Sequence, residues 1–173
     1  MKGREARMAI RCIRVLAGVV TLILMSVSAV HADAMQGTID GEQRTWHILE
    51  RQGQSSASFS EIGPDAVSFT VQGHRAERFE TQGALSINFM LMNGQPMGGA
   101  EVAYFPGRRM FPHYNTNDAP GLELDEIVID GDRARVSGRF RGEFVHVESM
   151  TAGEDPDNTI PVDVHFDVTA LRQ

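Results

Sequence analysis

Cysteine is almost absent from this sequence, which holds one in 173 residues, at Cys12. One thiol can form neither an intrachain disulfide nor a cysteine-based zinc site. Lysine is just as scarce: Lys2 is the only one, so the remaining cations are arginine. Positive charge is itself in deficit, with 16 Lys+Arg against 23 Asp+Glu and a net charge of −7. That balance speaks against the basic face a nucleic-acid binder needs. The spacings of common catalysts are missing too. There is no G-x-S-x-G elbow, no H-E-x-x-H and no phosphate loop. No segment of useful length shows a 3.6-residue amphipathic period, and there is no repeat or low-complexity block.

What is present bounds the class. Apolar residues make up 42% and charged residues 23%, enough for one packed domain and unlike a disordered chain. Residues 1–34 read as a cleavable signal peptide. Lys2, Arg4, Arg7, Arg11 and Arg14 form a basic start, Val15 to Val27 is an apolar run, and Ala32-Asp33-Ala34 supplies small residues for cleavage. Val30-His31-Ala32 is a second acceptable cut. The apolar run is too short to be read as a retained span. Cys12 precedes that run, so it does not mark a lipoprotein. Cutting after Ala34 leaves residues 35–173 as a single domain, with 11 cations, all arginine, against 21 carboxylates. The expected destination is the periplasm or the exterior, with no stable membrane span after cleavage.

The period of two dominates the rest. Ile160, Val162, Val164, Phe166, Val168 and Ala170 alternate with Pro161, Asp163, His165, Asp167 and Thr169. Leu85–Leu91, Val67–Val71 and Ala134–Phe140 repeat the pattern. Asp40-Gly41, Gly63-Pro64-Asp65, Asn93-Gly94 and Gly131-Asp132 supply turns. These features predict an all-β domain: an antiparallel β-sandwich of about eight or nine strands, with a closed β-barrel as the alternative. Around Gly131-Asp132, strict pairing would turn Leu122 and Leu124 to the wrong face. One extra residue near Asp125-Glu126 repairs this, so a β-bulge is expected there.

Several constellations are candidates for chemistry. Arg133, Arg135, Arg139 and Arg141 share a strand face, and cross-strand partners such as Glu123, Asp130 and Asp167 explain them as surface ion pairs. Asp163, His165 and Asp167 lie about 6.6–7 Å apart along a strand, too far for three metal ligands without help from a neighbouring strand. Met90 and Met92, with Met97 after the turn, would suit Cu(I) by softness, or fill a core. Gly153–Asn158 and Asn115–Asp118 read as polar turns rather than calcium loops. The stretch 105–120, FPGRRMFPHYNTNDAP, reads as one long loop with aromatics and arginines interleaved.

Long loops on rigid β scaffolds are where recognition concentrates. The expectation is therefore a non-enzymatic binding or interaction module of the cell envelope, using that loop. Arg108 and Arg109 would pair a carboxylate or other anion, Phe111 and Tyr114 would give apolar anchor area, and His113 a polar contact. The partner would be an envelope protein or a small anionic ligand, with no cofactor, resident metal or nucleic acid. A copper-binding protein and an enzyme with a spatially assembled site are the alternatives.

Overall fold

The computed structural model describes residues 34–173, with the backbone alone at residue 34 and residues 117–119. The expected signal peptide, 1–34, lies outside the described residues up to residue 33. Those described form twelve strands and no helix. In chain order they are β1 (Ala34–Ile39), β2 (Glu42–His47), β3 (Glu50–Arg51), β4 (Gln54–Ser55), β5 (Ala57–Gly63), β6 (Ala66–Gly73), β7 (Ala84–Met92), β8 (Gln95–Phe105), β9 (His113–Ala119), β10 (Leu122–Asp130), β11 (Arg133–Ser149) and β12 (Gly153–Arg172).

The alternation in the sequence becomes burial. Along β12, Val162, Val164, Phe166, Val168 and Ala170 are buried while Asp163, His165, Asp167 and Thr169 reach the surface. Trp46, Phe69, Ile87, Phe89, Val136 and Phe140 join the same core. Pairing sets Phe59 opposite Phe69 and Phe69 opposite Phe89. Their rings stack with centroids 5.7 Å and 5.1 Å apart, a ladder running through three strands.

Short turns set the registers. Asp40 and Gly41 have φ of 54° and 73°, and Asn93 and Gly94 have φ of 52° and 74°. Both dipeptides thus supply the two left-handed residues that a tight hairpin with the right twist requires. On β10, Leu122 faces Phe140 and Leu124 faces Gly138, and the register then shifts so that Glu126 faces Ser137. Asp125 is the extra residue, and the bulge stands where the leucine pattern demanded it. A Cβ on Gly138 would lie 2.5 Å from the Glu123 carbonyl oxygen and 3.0 Å from the Phe166 ring. Close approach of β10 therefore excludes any larger residue there.

Ten strands form one sheet in the order β10-β11-β9-β8-β7-β6-β5-β12-β1-β2, and β11 also pairs with β12. β3 and β4 form a separate two-stranded ribbon. Two stacked sheets, as expected of a sandwich, are not confirmed by this pairing. Instead the ladder β5-β6-β7-β8-β9-β11-β12 returns to β5. The last link is thin. Leu171 pairs with Ser58 and Arg172 with Phe59, in parallel. Beside it, β2 reaches the end of β6 through two backbone bonds between His47 and His74 (2.8 and 2.9 Å).

The structure departs from the expected loops and turns in two places. The stretch 105–120 is not one loop: Phe105 ends β8, residues 106–112 form the loop, and His113–Ala119 is β9. The polar segments Asn115–Asp118 and Gly153–Asn158 likewise lie in strands, β9 and β12, rather than in turns. Residues 153–158 are exposed on both faces of β12, so the alternation that marks a half-buried strand is missing there, and Asn115–Asp118 has no apolar residue to alternate.

Candidate functional site

The loop 106–112 leaves the end of β8 beside the 74–83 segment that links β6 to β7. Backbone bonding joins them: Gly83 N donates to Phe105 O at 2.6 Å. The 74–83 segment is pinned down. The Trp46 indole Nε1 donates to Gly83 O at 2.8 Å, Arg75 donates to Thr45 O at 2.7 Å, and Arg51 donates to Glu77 O at 2.6 Å. His74 is buried, with Nδ1 2.8 Å from Glu80 O and its ring edge-on to Phe79 at 5.4 Å. Nothing in the periodicity of the sequence marked this segment, because it belongs to no strand and its hold on the fold is made through backbone carbonyls.

Within the loop, His113 stands between two rings, 5.4 Å from Phe105 and 4.9 Å from Phe111, and its Nδ1 lies 2.9 Å from Met110 O. Phe111 is half-buried, and the Phe111–Pro112 bond is cis. Tyr114 points the other way. It packs against the core and meets the His146 ring edge-on at 5.2 Å. Met110 is 61% exposed and Phe79, on the neighbouring segment, 48%. Arg108 Nε donates to the Gln82 amide oxygen at 3.3 Å. Of the five residues expected to form the site, Arg108, Arg109, Phe111 and His113 share this tip, and Tyr114 is a support beneath it.

The arginines elsewhere are occupied. Arg135 pairs with Asp167 at 2.9 Å, and Asp163 takes both Arg139 and, at 3.3 Å, Arg141. Arg133 meets Glu50, Arg78 meets Glu80, and Arg172 meets Glu61. The Arg row on β11 is thus a set of ion pairs, as expected, with a change of partner. Glu123 and Asp130 are the backbone neighbours of Arg139 and Arg133, yet the bonds of Arg139 and Arg141 run to β12. The β12 register puts Asp163 opposite Arg141 and diagonal to Arg139. The hydrogen bond from Arg139 is the main cause that holds the Asp163 carboxyl below its ordinary range. Asp163 and His165 also line a shallow polar groove of about 290 Å3 with Gln36, Thr38 and Gln43.

A second polar cluster lies under the same end of the fold. Arg44 donates to the Tyr104 hydroxyl and, at 2.6 Å, to Glu42, and its guanidinium lies 5.1 Å from the Tyr104 ring. Burial raises the Tyr104 phenol, against the opposing pull of Arg44 and Arg75. Among the described residues no group of three His, Cys, Asp or Glu side chains is placed to hold a metal ion. Met90 and Met97 are direct cross-strand partners, and Met92 shares their face. No protein-family model matches the chain, and no curated protein or solved structure is detectably similar to it.

Proposed function

We propose that the protein is an exported, non-enzymatic binding module of the cell envelope, with a recognition tip made of loop 106–112 and the adjoining 74–83 segment. The observation that carries this reading is the state of Arg108 and Arg109. In a chain of net charge −7, neither has a carboxylate partner among the described residues, while the arginines of β11 are all paired. Two such cations on the loop that carries exposed Met110, with exposed Phe79 on the adjoining segment, suit an anionic group flanked by apolar surface. A carboxylate-bearing segment of an envelope protein, or a small carboxylate, has that chemistry. The closed ladder of strands favours the barrel alternative as the scaffold that holds this tip.

The test is the double variant R108A/R109A. Its thermal unfolding should match the parent, since neither side chain supports the core. Capture of the partner from an envelope extract should be lost. Unchanged capture would remove the loop from the proposed role. Tyr114 is unsuited to this test, because its truncation would disturb packing as well as recognition.

A soft-metal reading keeps one observation in its favour, the three thioethers of Met90, Met92 and Met97 on one face. Titration with Cu(I) against a competing chelator decides it, and no retained copper would end it.

A further inference from the structure

At the other end of β8 the wall of strands parts. β8 pairs with β7 along both halves, but with β9 only from Ala100 onward. β10 pairs with β11 alone and ends the sheet. Residues Gln95–Gly98 and the outer edge of β10 therefore face each other without a strand ladder between them. A cleft opens along this gap. Its narrow end, about 50 Å3, lies between Met97 and Leu122. Its wide end, about 270 Å3, lies between Gln95-Pro96 and Leu124–Ile127.

The two banks differ in kind. Pro96 has no N–H, and Gly98 has φ of 71°, so the β8 bank is a poor template for another strand. The β10 bank is a nine-residue strand with an unpaired backbone edge. Its side chains are apolar and acidic by turns. Leu122, Leu124 and Ile127 are partly buried against the core, and Val128 and Ile129 are exposed. Asp125, pushed out by the bulge, and Glu126 line the wide end of the cleft. Asp125 has no ion pair among the described residues, Glu126 lies 3.8 Å from Arg135 of β11, and β10 itself carries no cation. Met97, 40% exposed, supplies an adaptable apolar contact on the facing bank.

We infer that the outer edge of β10 takes up an extended, lysine- or arginine-bearing segment of a partner protein as an added strand. Backbone bonds to β10 would hold the segment, alternate apolar side chains would enter the cleft, and its cations would meet Asp125 first and compete with Arg135 for Glu126. The negative charge of the whole chain would speed the encounter. This surface is separate from the arginine-bearing tip, at the far end of β8, and takes the opposite charge.

The probe is a capped, fluorescein-labelled octapeptide of alternating lysine and valine, read by anisotropy with the purified protein. Binding is expected, together with slowed amide exchange in Glu123–Asp130. Methylating alternate amide nitrogens of the peptide keeps its charge and removes strand donors, and should abolish binding. D125K/E126K should weaken binding by at least about tenfold, through like-charge repulsion at the cleft. The methylated peptide needs no variant, so a fold defect in D125K/E126K cannot mask the answer. Equal binding of the methylated peptide would reduce the contact to bare electrostatics and overturn the inference. So would absent binding, or β10 amides protected only through self-association of the protein.

Discussion

Asp163 shows what a single side chain does for this surface. It accepts a bond from Arg139 and lies 3.3 Å from Arg141, so one carboxylate offsets two cations on the neighbouring strand. Its folded pKa is lowered. The stability it contributes is therefore present above the ordinary carboxylate value, about 3.9, and is lost as pH falls through the lower folded value. D163N should unfold at a slightly lower temperature than the parent at pH 7. The gap should close on acidification below about pH 4; a gap that persists in acid would assign the loss to packing. Trp46 is a second informative residue. It is the only tryptophan in the chain and is 1% exposed. Its emission should be blue-shifted and resist acrylamide in the folded protein, then shift red in one transition in urea.

At the scale of elements, the strands that alternate strictly were legible in the sequence. β12, β11, β7 and β6 each place one face in water and the other in the core, and that contrast is written in Val/Phe against Asp/Arg. The Asp125 bulge was legible for the same reason, since only one register returns Leu122 and Leu124 to the dry side. Deleting Asp125 should force a strict register and turn those leucines outward. Loss of cooperative unfolding is the expected result, and normal stability would refute this account of the bulge. The Phe59-Phe69-Phe89 ladder makes a companion prediction. F69A empties the middle of three stacked rings and should cost about 3–5 kcal/mol in urea unfolding. The 74–83 segment and β9 were not legible. The 74–83 segment is placed by bonds to residues distant in sequence, and β9 is polar along most of its length, so neither leaves a periodic trace. At the candidate tip, the sequence put Arg108 and Arg109 side by side, but the inward turn of Tyr114 could not be read from it.

Over the whole molecule, the strand pairings run in a loop that is held unevenly. β11 and β12 pair along almost their full length. The return from β12 to β5 rests on two residue pairs, the bond from Gln173 N to Phe59 O at 3.0 Å, and the side chain of Arg172. Arg172 lies over the Phe59 ring at 5.0 Å and bonds Glu61 at 2.6 Å and Gly131 O at 2.9 Å. Amide exchange should therefore be fastest, among strand interiors, at Ser58, Phe59 and Leu171. R172A should accelerate it there while leaving the centre of the β11–β12 pair unchanged. Uniform acceleration throughout would mean that Arg172 supports global stability instead.

That uneven closure has a consequence for molecules at high concentration. Unclasping the β5–β12 junction would leave two raw strand edges in one chain, each already shaped to fit the other. A neighbour unclasped in the same way offers the same two edges, so re-closure between copies would form the same bonds as closure within one. Mild heating followed by cooling in concentrated solution should then yield closed-ended dimers by exchange of strands. R172A should yield more of them, and dilution before cooling should return the monomer.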